Sequence, residues 1–195
     1  MSGTGGRLPS RKAGVSDMRR KIGMRFARGY CPLMSEEVRY RALIGADAGR
    51  VAELVRTAFA SQTVVTDPLP SALLVTAADI LAHLAGDGCG AVAESIAGIV
   101  GSALWSRKDG GLYVGRVAID AAWRRRGIAR RLLALAEDAA RAANLPRVWL
   151  ETRLVLTDNR RLFASSGFRE ISLHAHPGYS APTFVRMEKM LARLD

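Results

Sequence analysis

The stretch Ile119-Asp120-Ala121-Ala122-Trp123-Arg124-Arg125-Arg126-Gly127-Ile128-Ala129-Arg130-Arg131-Leu132-Leu133 decides how the chain is read. It joins a strand-like run near residues 112–119 to a helical run over 127–143. In the latter, Ile128, Leu132, Leu135, Ala136, Ala139 and Ala143 recur at helical spacing. Gly127 lets the backbone at the join approach a ligand with no side chain in the way. The first N–H groups of a helix have no intrahelical acceptor, and the positive end of the helix dipole lies there, so the join suits an anion. Arg124, Arg125, Arg126, Arg130 and Arg131 crowd that same end. Cations there are mildly destabilising unless an anion offsets them. One such arginine reads as a solvated surface group. Five beside a glycine turn point to a polyphosphate ligand.

Other phosphate-binding patterns are absent. No Gly-x-x-x-x-Gly-Lys-Ser/Thr run occurs, which excludes a P-loop nucleotidase. Gly86-Asp87-Gly88-Cys89-Gly90 has the glycines of a dinucleotide fingerprint but precedes a strand instead of following one.

Upstream of the turn, Val38 to Ala42 alternates as a strand. Asp47 is placed to cap a helix that carries Val51, Leu54, Val55, Ala58 and Phe59 on one face, and Thr76 to start a second through Ile80, Leu81 and Leu84. Three strands are expected near 91–95, 98–105 and 112–119, with Gly98 at the first turn and Asp109-Gly110-Gly111 as a hairpin signal at the second. Downstream come a strand at 148–152, a helix from Asp158 to Ser166 closed by Gly167, and strands near 168–174 and 183–190. This order predicts an α/β (α+β) fold, a mixed and mostly antiparallel sheet flanked by helices.

The 195 residues suit one domain, and 49% hydrophobic with 24% charged residues is ordinary globular composition. No run reaches the roughly 18 apolar residues of a membrane span, so a protein without a membrane partner is expected. Cys31 and Cys89 make neither a disulfide framework nor a zinc spacing; a reducing cytoplasm is the default compartment, and no metal is expected. The net charge of +11 is concentrated at one end. Residues 1–35 hold eight basic groups and one acid, Asp17, against 21 basic and 17 acidic groups in the rest. That distribution argues against a nucleic-acid surface on the domain. The Gly-, Ser- and Arg-rich tail reads as a disordered extension, 1–35, ahead of a domain at 36–195. An organelle leader is the alternative; a twin-arginine export signal is disfavoured because no apolar run follows Arg19-Arg20. Met34-Ser35-Glu36-Glu37 itself resembles a natural N-terminus.

Arg124-x-x-Gly127-x-Ala129, with a strand before it and a long helix after, resembles the Arg/Gln-x-x-Gly-x-Gly/Ala signature of the GNAT superfamily of acyl-CoA-dependent N-acyltransferases. Trp149-Leu150-Glu151, the following helix, Gly167-Phe168 and Phe184 to Leu191 extend the resemblance over residues 37–191. It implies a sheet that splays between its fourth and fifth strands, with acetyl-CoA in the opening. The main chain of Val117, Ala118 and Ile119 would then bond the pantetheine arm. The turn Arg124, Arg125, Arg126, Gly127, Ile128, Ala129 and Arg130 would cradle the pyrophosphate, and Asn159 would add a polar contact. The acceptor would be a small-molecule or peptide amine, with a homodimer compatible with the fold.

For catalysis, Glu151 matches in placement the general base of ribosomal-protein N-terminal alanine acetyltransferases; the alternative is a rim carboxylate paired with Arg153 or Arg124. The family's thiolate acid is commonly a tyrosine four residues before the Gly-Phe pair, and Phe163 stands there. Leu156 stands at the family's usual asparagine, with Asn159 as the substitute. Tyr179, Ser166 and water are the remaining acids. This departure admits a second reading, a non-catalytic module that binds acyl-CoA. His174 and His176 read as rim histidines sooner than a metal pair, and Trp105, Trp123 and Trp149 as packing. The segments expected to shape the acceptor pocket, 59–76 and 174–182, contain a single acid, Asp67, which argues against a polyamine.

Overall fold

A computed structural model describes residues 37–192, so every reading of the tail lies outside the described residues. Strands β1 (Arg39–Ala42), β2 (Cys89–Ser95), β3 (Gly98–Lys108), β4 (Gly111–Ile119), β5 (Arg147–Arg153), β6 (Arg169–His174) and β7 (Phe184–Met190) form one sheet in the order β1-β2-β3-β4-β5-β7-β6. Every pairing is antiparallel except β4 with β5. Helices α1 (Ala48–Ala60), α2 (Ala77–Ala85), α3 (Ile128–Ala142) and α4 (Thr157–Ser165) complete the fold. The expected mixed, mostly antiparallel sheet is therefore present.

Strand alternation sorts the core onto two faces. Val92, Ile99, Leu104 and Ala118 meet Val51, Leu54 and Val55 of α1 and Ile80 of α2. Ala91, Ala93, Val100 and Val114 meet Ile128, Leu132, Leu133 and Ala136 of α3 and Phe163 of α4. The buried stripe of α3 runs through Leu133 and Ala140, while Leu135, Ala139 and Ala143 are half-buried. Ile128, Leu132 and Ala136 are buried as expected, and Glu137 is buried beside them, its carboxylate paired with Lys189 at 2.7 Å.

Local turn chemistry behaves as the residues require. Asp109 (φ 49°) and Gly110 (φ 70°) close the β3–β4 hairpin as a two-residue turn between paired Lys108 and Gly111. Thr76 Oγ accepts from the Asp79 N–H at 3.2 Å while the Asp79 carboxylate accepts from the Thr76 N–H at 2.8 Å, a reciprocal cap for α2. Asp47 departs from expectation. Its carboxylate makes no cap on α1; it accepts from the Ile44 N–H at 3.0 Å and from Arg41 at 2.6 and 2.9 Å. Those bonds, led by Arg41, hold its pKa below the ordinary carboxylate value.

The feature that positions the site is the parting of β4 and β5. They pair only at Leu112↔Val148 and Tyr113↔Trp149, after which no ladder joins them. Between Ser102↔Ala118 and Leu104↔Gly115 the β3–β4 register slips, so β4 carries an extra residue. Arg116 lies in that bulge with φ 49°. Such a bulge bends a strand and sharpens its twist, opening a wedge on the β5 side.

Candidate active site

The turn before α3 forms one wall of the wedge. Gly127 is the N-cap of α3 at φ 80°, Arg125 also lies in the left-handed region at φ 63°, and no acid stands in the first helical turn. The first bond of the helical ladder runs from the Arg131 N–H to the Gly127 carbonyl at 3.1 Å, so the N–H groups just before it lack intrahelical acceptors. A cleft of about 860 Å³ opens here, lined by Val117, Ile119 and Arg124, Arg125, Gly127, Ile128, Ala129 and Arg130, with Asp158 and Asn159 of α4 opposite.

The arginine side chains divide their work. Arg124 turns back onto the end of α1, donating to the Ala58 carbonyl at 3.1 Å and Ser61 Oγ at 2.6 Å, and to the Ile119 carbonyl at 3.3 Å. It pins the turn to α1. Arg130 donates to Ser165 Oγ at 3.0 Å and ties α3 to α4. The Arg126 guanidinium lies 4.5 Å from the Trp123 ring centroid, and Arg126 does not line the cleft. Ala118 is buried on the opposite face of the sheet, which leaves its main chain alone for a ligand. What the turn offers the cleft is thus its backbone N–H groups more than its guanidinium groups.

A second cleft, of about 410 Å³, lies between the splayed strands and the loops over them; Tyr113, Arg116, Glu151, Arg153, His176 and Phe184 are on its walls. Phe59, Gln62, Val117, Leu156, Asn159 and Phe163 line both clefts, so the two meet at that junction. Glu151 is partnered by Arg186 at 3.0 Å, not by Arg153 or Arg124 as the alternative reading had it. Arg186 stacks 4.1 Å from the Trp149 centroid, which holds it in place. Arg153 donates to the Pro68 carbonyl at 2.8 Å and contacts His176 Nδ1 at 2.9 Å. Burial first, then the Arg153 charge, holds the His176 pKa below its ordinary value.

Tyr179 is not brought into either cleft. Its hydroxyl donates to Asp67 at 2.5 Å, and that bond, ahead of burial, raises its pKa. Ser166 donates to the Leu162 carbonyl at 2.9 Å, also outside both clefts. Phe163 is buried among apolar side chains with its edge towards Phe168. The phenol that does face the second cleft is Tyr113, at the last position of β4 that pairs with β5, its pKa raised by burial and then by the Glu151 charge. Tyr113 and Arg186 were not legible as site residues. The Glu151↔Arg186 pairing follows from the β5–β7 register, which local sequence does not contain. His174 stacks on Phe184 and contacts Ser172 at 2.7 Å; among the described residues no cluster suited to a metal ion occurs. Trp105, Trp123 and Trp149 are buried packing groups.

The larger cleft beside the α3 turn and the smaller one over the sheet thus meet where β4 and β5 part. Residues 55–168 match the model of the acetyltransferase (GNAT) family, and the chain belongs to that family of acyltransferases. No curated protein matches the sequence. The fold is similar to a GNAT-family protein from Desulfovibrio desulfuricans, at a TM-score of 0.65 and 19% identity over 80% of this chain and 100% of the other. It is also similar to the ribosomal-protein-S18-alanine N-acetyltransferase of Escherichia coli (0.64, 15%, 82% and 97%) and to the PaiA N-acetyltransferase of Thermoplasma acidophilum (0.65, 14%, 80% and 99%).

Proposed function

We propose that the protein transfers an acetyl group from acetyl-CoA to a primary amine by direct attack. The observation that carries this reading is the junction of the two clefts at the β4–β5 wedge, beside an uncapped helix N-terminus. The solved Thermoplasma structure contains coenzyme A, which supports the same co-substrate here. In this reading the N–H groups from Arg125 to Arg130 hold the pyrophosphate, and the main chain of Val117 to Ile119 holds the pantetheine arm with Asn159 across from it. The amine nitrogen attacks the thioester carbonyl carbon, the C–S bond breaks, and the thiolate leaves. Glu151, oriented by Arg186, takes the proton that the amine must lose. With Phe163 apolar and Tyr179 and Ser166 bonded elsewhere, water in the open cleft returns a proton to the thiolate. A cleft of about 410 Å³ suits a small-molecule acceptor better than a folded protein surface.

Thiol release from acetyl-CoA, followed across a panel of amines, tests the reading. Release that depends on an added amine and yields its N-acetyl product is expected. Tight acetyl-CoA binding with no amine-dependent release would favour the non-catalytic module that the Phe163 substitution admits.

A further inference from the structure

We infer that the acceptor is an amino carboxylate, a small amine that also carries a carboxylate, recognised through Arg116 and Arg153. The inference rests on the acyl-transfer reading for the identity of the cleft and adds the chemistry of what enters it.

Charge in the acceptor cleft is one-sided. Its arginine and carboxylate linings are Arg116, Arg153 and Glu151. Glu151 is already answered by Arg186 at 3.0 Å. Neither cleft arginine has a hydrogen bond or ion pair to a carboxylate among the described residues: Arg153 is held by the Pro68 carbonyl and His176 and feels Asp67 only through longer-range charge, and Arg116 feels Asp79 in the same way. The two guanidinium groups come from the strands that part, Arg116 from β4 and Arg153 from the end of β5. Partly buried guanidinium groups with no carboxylate in direct contact lack the charge-assisted bonds that stabilise such groups elsewhere, and a ligand carboxylate supplies them bidentately.

Backbone conformation gives a second, independent pointer. Arg116 occupies the β4 bulge at φ 49°, a region in which glycine or asparagine would sit at lower cost. Strain of this kind gathers at ligand sites, where the surroundings hold a side chain that function requires. The bulge both opens the wedge and brings Arg116 to the cleft wall. Phe59, Tyr113 and Phe184 line the same space and suit an apolar body between the amine and carboxylate ends. A polyamine finds no unpaired carboxylate here, and an internal or N-terminal peptide amine brings no nearby carboxylate for the arginines.

The experiment compares matched acceptors: phenylalanine with phenylalaninamide, β-alanine with β-alaninamide, and spermidine. Binding to the CoA-loaded protein is measured by calorimetry and turnover by thiol release. The expected result is a preference of roughly 10- to 100-fold in Kd and KM for an acid over its amide, the scale of a hydrogen-bonded charge. Arg116→Gly should collapse that preference while leaving the melting temperature unchanged or higher, because it relieves the left-handed residue. Arg153→Gln should reduce the same ratio. Amides or spermidine bound as well as the acids, or a ratio unchanged in Arg116→Gly, would overturn the inference. Acids preferred in binding without turnover would uphold it and sink the acyl-transfer reading instead; amides acetylated as well as acids would do the reverse.

Discussion

Gly127 and Gly110 make a matched pair for testing the anion cradle. Both lie in the left-handed region, at φ 80° and φ 70°, and a Cβ built on either meets nothing within 4 Å. Each glycine-to-alanine change therefore carries the conformational cost alone, about 1–2 kcal/mol. For a domain of this size that lowers the melting temperature by roughly 2–8 °C. The open space at Gly110 faces solvent at a hairpin tip, whereas that at Gly127 is the cradle itself. Valine at 127 puts branched bulk where the pyrophosphate would meet the N–H groups. Losing even one charge-assisted bond of about 1.5–3 kcal/mol weakens CoA by about tenfold or more. Calorimetry with CoA, alongside thermal melts, separates the two effects. Gly110→Ala should melt earlier and bind CoA normally; Gly127→Ala should melt earlier and bind less well, and Gly127→Val should bind least. Unchanged CoA affinity in Gly127→Val, or an equal loss in Gly110→Ala, would refute the cradle.

Glu151→Gln preserves shape and removes the base, so turnover should fall by about 10²–10⁴-fold and most at low pH, where the amine is most protonated; a wild-type pH–rate profile would leave Glu151 a rim carboxylate. Tyr179→Phe should leave kcat unchanged and raise KM, because the hydroxyl bonds Asp67 and joins the two acceptor loops without reaching a cleft; a large fall in kcat would restore Tyr179 as the acid. Asp47 has a lowered folded pKa, so its pairing with Arg41 contributes stability above the unfolded value of about 3.9 and loses it as pH falls through the lower folded value. Melts against pH should accordingly show Asp47→Asn less stable near neutrality and less sensitive to acid than the wild type.

What could be read along the chain was whatever depends on near neighbours. Helical spacing in 127–143, the Asp109-Gly110 turn and the Thr76 cap are settled within a few residues, by backbone preferences and hydrogen bonds of short reach. The glycine turn before α3 belongs to the same group, and its left-handed Gly127 follows from residues next to it in the chain. Arg124 shows the limit: its place in the motif was plain, yet its side chain spans 66 positions to the Ala58 carbonyl and serves the scaffold. Tyr179, chosen for its hydroxyl, spends that hydroxyl 112 positions away on Asp67. Asp47, a plausible cap by residue type, is drawn off by Arg41 across the turn. Glu151 was nameable from its strand, but its partner Arg186 came from the β5–β7 register. The Arg116 bulge, likewise, arises from how β4 seats against β3. Strand order, register and bulge are set by burying two apolar faces at once, a condition on residues far apart in the chain, so only the tertiary structure could decide which charges meet in the cleft between the parted strands.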